Sequence, residues 1–136
     1  MLQKKSLAKV LIILICLILV SGCAKSTDNS QPSDCIIFTD SLGRTVSVPK
    51  GTIDAAVLVG SLADIWHLAG GNLLATAKDA WEDFGIDTDA VNLGTVKEPN
   101  VELLLSVCPD FVIASSNTAS NQDLLPLLEG AGITVA

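Results

Sequence analysis

The sequence predicts an α/β fold: a parallel sheet flanked by helices, preceded by a short β-hairpin. Three observations carry this. Apolar runs of strand length, at 55–59, 73–77, 110–114 and 133–135, alternate with segments of helical apolar spacing. The runs at 55–59 and 111–114 are continuous rather than alternating, as expected of strands covered on both faces. Gly and Pro fall at the joints between the two kinds of segment. Strands alternating with helices at this spacing point to a Rossmann-like layout.

Each element follows from its residues. Ile36-Ile37-Phe38-Thr39 and Thr45-Val46-Ser47-Val48 are β-prone runs on either side of Asp40-Ser41-Leu42-Gly43-Arg44, a turn-forming segment, and together predict the hairpin. Ala55 to Val59 is the first sheet strand. Ser61 is the expected amino cap of the next helix, with Asp64 completing a capping-box-like pair. Leu62, Ile65, Trp66 and Ala69 form its apolar face, which places Trp66 in the core, and Gly70-Gly71 ends it. Leu73 to Ala77 is the next strand. Asn100 is expected to cap a second helix whose buried face is Val101, Leu104, Leu105 and Cys108, ended by Pro109. Asp110 to Ala114 is the clearest strand. A third helix is expected over 123–129, starting near Asp123 so that Pro126 falls in its first turn. Gly130 and Gly132 close it, and Ile133 to Val135 begins a last strand.

The first 34 residues have another character. Lys4, Lys5 and Lys9 precede an unbroken apolar run of 11 residues, Val10 to Val20, too short for a stable membrane span but suited to a secretory signal. Val20-Ser21-Gly22-Cys23 then resembles a bacterial lipobox, with cleavage before Cys23 and a diacylglyceryl group on its sulfur. Residues 1–22 are expected to be a lipoprotein signal peptide. Residues 23–34, rich in Ser, Asp, Asn, Gln and Pro, read as a flexible tether. The folded lobe is 35–136, on the extracytoplasmic face of the membrane and anchored to it by lipid.

The charge then reads differently. The whole chain of 136 residues carries −7. Without residues 1–22 it loses three Lys and no acid, so 114 residues remain with 5 basic and 15 acidic groups, a net of −10. So acidic a chain is a poor candidate for nucleic-acid binding, which needs clustered Lys and Arg. Catalytic motifs are absent. Val59-Gly60-Ser61 lacks GxGxxG, no GxxxxGK[ST] occurs, and Ser61 has no evident general base because His67 is the only His. His67 reads as a packing or half-exposed helix residue. Asp87 and Asp89 lack the spacing of a calcium loop and read as a solvated turn. No catalytic residue, metal ligand or cofactor is expected. Cys35 and Cys108 are expected as two unpaired, partly buried thiols.

Ligands of open parallel sheets sit beyond the carboxyl ends of the strands. Those ends bring forward Ser61, Trp81, Glu82, Ser115, Ser116 and Asn117. Trp81, an aromatic among acids, either stacks on a ligand or packs its segment onto the domain; both readings stand.

Three segments carry a resemblance. Phe38-Thr39-Asp40-Ser41-Leu42-Gly43-Arg44-Thr45-Val46-Ser47-Val48-Pro49, the stretch from Gly94 to Ile113, and Leu128-Glu129-Gly130-Ala131-Gly132-Ile133-Thr134-Val135 resemble, in order, the substrate-binding proteins of ABC importers for iron–siderophore complexes and cobalamin. The resemblance implies a two-lobed protein with its ligand between the lobes, of which this chain is the N-terminal lobe, truncated with the second lobe absent. It implies an iron–siderophore, haem or cobalamin ligand near Trp81, Val96 and Ser115. It also implies that Glu102 docks on ABC permease subunits, and Glu102 lies about 100° around its helix from Val101, off the apolar face. The alternatives are a stand-alone surface interaction or sensor lipoprotein built on one lobe, and a fragment without function.

Overall fold

A computed structural model describes residues 34–51 and 53–136. The expected signal peptide (1–22), the expected lipidation site Cys23 and nearly all of the expected tether (23–34) lie outside the described residues. Among those described, no helix is long and apolar enough to cross a membrane.

The hairpin forms as expected, from β1 (Cys35–Thr39) and β2 (Thr45–Pro49), antiparallel with Phe38 opposite Val46. Five parallel strands follow: β3 (Asp54–Val57), β4 (Asn72–Thr76), β5 (Val91–Asn92), β8 (Phe111–Ile113) and β9 (Thr134–Val135). Their order is β5-β4-β3-β8-β9. The chain builds outward from β3 on one side and then returns to place β8 on the other. Between β5 and β8 lies a small antiparallel pair, β6 (Gly94–Thr95) and β7 (Glu98–Pro99). The helices are α1 (Gly60–Leu68), a single turn α2 (Asp79–Glu82), α3 (Val101–Ser106) and α4 (Ala119–Gly130).

The alternation of strand side chains sorts the core. Ala56, Leu58, Ala75, Val112 and Val135 pack with Leu104 of α3 and Leu128 of α4. Ala55, Val57 and Leu73 pack with Ala63 of α1 and Ala80 of α2. Val46 and Val48 of the hairpin close on Phe111, beside Trp66. Trp66, expected in the core, is half-buried and packs against it: its ring lies 6.3 Å from that of Phe111 and its Nε1 donates to the Asn72 carbonyl at 2.9 Å. A Cβ on Gly71 would sit 2.2 Å from the indole, so only Gly lets the ring lie there.

Asp40 and Arg44 join the hairpin to the far end of the lobe. The Asp40 carboxylate accepts from the backbone N–H groups of Leu42 and Arg44 and from Arg44 Nε at 2.6 Å. Burial would raise the Asp40 pKa; the Arg44 and Leu42 N–H donors and the Arg44 guanidinium outweigh it, and the carboxyl is held below its ordinary 3.8. Arg44 then reaches Glu129 at 2.6 Å and donates to the Val135 carbonyl at 3.2 Å. The first and third resembling segments are thus one structural unit.

Four expectations need correction. Ser61 does not cap α1. The cap position is Val59, extended and without a side-chain bond, and Ser61 is exposed inside the first turn. The Gly60 N–H is satisfied instead by Asp79 Oδ2 at 2.9 Å, from the first residue of α2. The apolar face of α1 is narrower than read: Ala63 is buried, while Ile65 is 64% exposed and Ala69 is exposed. Cys108 is exposed, not buried, because α3 ends at Ser106 and Cys108 takes φ +49. The following Pro109 disfavours the helical conformation at that position, and Val107 packs on the core in its place. Cys35, half-buried, and Cys108 are both unpaired. Finally, α4 begins at Ala119, so Pro126 lies inside it rather than in its first turn. Its opening turn is secured by the Thr118 carbonyl, which accepts from Asn121 and Gln122.

Candidate functional site

The strand order places a topological switch between β3 and β8, where the chain leaves one half of the sheet for the other, and ligands of such sheets sit in the crevice at that point. The carboxyl ends of β3 and β8 are tied there by the Leu58 N–H on the Ile113 carbonyl, 2.9 Å. Four loops form the rim: 58–61 after β3, 77–82 after β4, 95–98 between β6 and β7, and 114–118 after β8.

On the β8 side the expected residues come together. Val96 and Asn117 line one open hollow with Lys97, Thr118 and Ser120. Ser115 Oγ accepts from the Asn117 N–H at 3.2 Å, shaping the turn. Ser116 Oγ accepts from the hydroxyl of Ser41 at 2.9 Å, so the hairpin tip braces this loop. Holding the group is Asn121, 1% exposed. Its Oδ1 accepts from Ser115 N–H at 3.0 Å and its Nδ2 donates to the Val96 carbonyl at 3.4 Å. Ser120 Oγ donates to the same carbonyl at 3.0 Å. The first turn of α4 therefore fixes two rim loops at once.

Asn121 was missed by sequence reasoning, although a signal exists. The apolar stripe Leu124, Leu125, Leu128 extends back by helical spacing to position 121, where a polar side chain among apolar ones marks a buried hydrogen-bonding role.

On the β4 side, Ser61 and Trp81 stand on adjoining helices, joined through Gly60 and Asp79. A Cβ on Gly60 would lie 2.6 Å from Ala80 N, so this approach also requires Gly. Asp79 Oδ1 is buried with no partner, its other oxygen holding α1. Trp81 is half-buried, packed beside Ala80 and Ile86, with Nε1 3.4 Å from the Thr88 carbonyl. It anchors its loop and keeps part of its ring at the surface. Glu82 is exposed and pairs with Lys78 at 3.0 Å. Glu102 is exposed in the first turn of α3, whose cap Asn100 accepts from Leu103 N–H at 3.0 Å. A carboxylate is favourable near that helix amino end.

His67 is exposed on α1, and Asp87 and Asp89 are exposed in the loop after α2. Among the described residues, no three His, Cys, Asp or Glu side chains converge as metal ligands would. The rim offers hydroxyls, an amide, two Lys (Lys78 and Lys97), acidic side chains including Glu82, and one indole.

This architecture has known counterparts. The siderophore-binding protein BauB, bound to ferric iron with two molecules of acinetobactin, superimposes with a TM-score of 0.61 at 20% identity, over 76% of this chain and 36% of BauB. The molybdate periplasmic binding protein MolA of a Haemophilus influenzae ABC transporter gives 0.60 at 20% identity, over 74% of this chain and 33% of MolA. The fold is one lobe of a periplasmic binding protein. By sequence, a Fe(3+)-citrate-binding protein of Bacillus subtilis is 30% identical over 131 residues, 88% of this chain and 41% of that protein. The resemblance to substrate-binding proteins of ABC importers is therefore borne out, over a chain that spans about two-fifths of the curated relative. No family model matches the chain.

Proposed function

We propose that this chain is the N-terminal lobe of a lipid-anchored substrate-binding protein that captures an iron complex outside the cytoplasm and hands it to an ABC permease. Residues 1–22 are its signal peptide, Cys23 its lipidation site, 23–34 its tether and 35–136 the lobe. The observation that carries the reading is the switch-point rim on a fold shared with iron-complex receptors, in a chain 30% identical to a Fe(3+)-citrate-binding protein. Ser61, Trp81, Val96, Ser115, Ser116 and Asn117 are the ligand-side positions. The chemistry is capture and release, with no bond made or broken. A ferric complex is favoured over cobalamin because the relative is a Fe(3+)-citrate-binding protein and BauB binds ferric iron with acinetobactin. Glu102, exposed on α3, is the permease-docking carboxylate.

The test is a titration of the two-lobed protein, this chain completed by a second lobe, with ferric citrate, a ferric siderophore, haem and cobalamin, read by tryptophan fluorescence. Saturable quenching by a ferric complex, absent with iron-free citrate and diminished in Trp81→Phe, is expected. A response to none of the four ligands would remove the assignment.

A further inference from the structure

The apolar surface left open by this lobe is concentrated on the strand that follows the amino-terminal segment. Ile36, Ile37 and Phe38 are 54%, 69% and 38% exposed. They are consecutive on β1, so they project to both faces of the ribbon. β2 pairs with one edge of β1, and among the described residues no strand pairs with the other. Leu42, in the turn of the same hairpin, is 46% exposed. Isolated exposed apolar residues are ordinary, but an open edge strand bearing three in a row is a surface that pairs or docks.

We propose that this strip is a membrane-surface contact, laying the β1–β2 hairpin against the bilayer beside the chain's own anchor. The proposal rests on the reading of residues 1–34 as signal, lipidated Cys23 and tether. Eleven residues separate Cys23 from Cys35, a span of at most about 40 Å when fully extended. β1 is therefore the described element closest along the chain to the lipid. The charges next to the strip are already matched: Asp34 with Lys50 at 3.8 Å, and Asp40 with Arg44. Among the described residues next to the strip, these charges are paired, and an apolar interface needs no unpaired ion. A second copy fits less well. A five-residue strand of about 17 Å covers much less than the roughly 1,200 Å² of a stable interface.

The two free thiols give the test. The full chain is produced in bacteria in a Cys16→Ser background, with either Cys35→Ser or Cys108→Ser added. The remaining thiol takes an environment-sensitive fluorophore. Each protein is mixed with phosphatidylethanolamine–phosphatidylglycerol vesicles carrying a nitroxide-labelled lipid, and flotation and quenching are both recorded. The expected result is flotation of both proteins, with quenching at Cys35 and none at Cys108. Adding Ile37→Glu should abolish quenching at Cys35 while flotation persists. Its melting curve, unchanged because Ile37 is exposed, excludes unfolding. Flotation with equal or no quenching at the two sites overturns the surface contact and leaves the anchor standing. Flotation without quenching of the labelled protein, together with disulfide-linked dimers through Cys35 when the unlabelled Cys108→Ser protein is oxidised, assigns the strip to a second copy and overturns the proposal. Failure to float overturns both the anchor reading and the contact.

Discussion

The hairpin corner and the rim at the carboxyl ends of the strands are built in opposite ways. At the corner, side chains do the joining: Asp40 holds Arg44, and Arg44 holds Glu129 and the Val135 carbonyl. At the rim, backbone groups do most of it: the Val96 carbonyl and the Ser115 and Gly60 N–H groups are held by Asn121, Ser120 and Asp79, residues set behind the surface. The corner consumes its polar side chains in architecture. The rim fixes its loops from behind and leaves Ser61, Lys97 and Asn117 free of side-chain partners among the described hydrogen bonds. Two of the resembling segments, 38–49 and 128–135, are thus scaffold, whereas the third, 94–113, carries the proposed ligand-side residue Val96. An iron–siderophore receptor and a molybdate receptor can accordingly share this lobe.

Substitutions should separate the two regions, beginning with the close approaches that hold either one in place. Gly71→Ala puts a Cβ 2.2 Å from the Trp66 indole and should cost about 3 kcal/mol by overpacking and loss of the ring's contacts. Thermal unfolding measures it, with near-ultraviolet dichroism reporting displacement of Trp66. Asn121→Leu leaves the Ser115 N–H without its partner and the Val96 carbonyl with Ser120 alone, and should cost about 2 kcal/mol. Hydrogen exchange should rise in both 95–98 and 114–118, but not in the hairpin.

Acid should loosen the corner before the rim. The Asp40 pKa is lowered in the folded lobe, so its stabilising contribution is complete above the ordinary carboxylate range. It is lost as pH falls from 3.8 through the depressed folded value. A pH series of melting curves should show this loss, and Asp40→Asn should flatten it. Glu102→Arg, at an exposed site, should change stability by less than about 0.5 kcal/mol while abolishing cross-linking to the permease. The smallest effect belongs to Ser61→Ala, within about 0.5 kcal/mol. A true amino cap would cost about 1 kcal/mol, so a melting curve distinguishes the two roles.

The legible part of the fold was the part encoded by local pattern. The continuous runs around Ala56 and Val112 gave the central strands, the Asn100 cap gave α3, and the turn at Asp40–Arg44 gave the hairpin. The errors came where a distant group replaced a local one. Asp79 satisfies the amino end of α1, so the nearby Ser61 is not needed as a cap. The Ser- and Asn-rich stretch at 115–122 reads as loop, yet its second half is helix because Asn121 buries its amide against two rim loops. β5, β6 and β7 are two residues each, too short to leave a periodic signature, and they exist because β4 offers an edge and Asn100 donates to the Leu93 carbonyl at 2.7 Å. For the candidate site, strand ends put forward Ser115–Asn117, and the polar Asn121 within an apolar helical stripe was a legible but unread sign of the residue behind them.

Hydrogen–deuterium exchange of the chain with and without saturating ferric citrate compares the two regions in one experiment. Iron-dependent protection should appear at 60–61, 78–82, 95–98 and 114–118, with 35–49 unchanged. Protection centred on the hairpin, or none at any rim loop while ferric citrate is bound, would contradict the account.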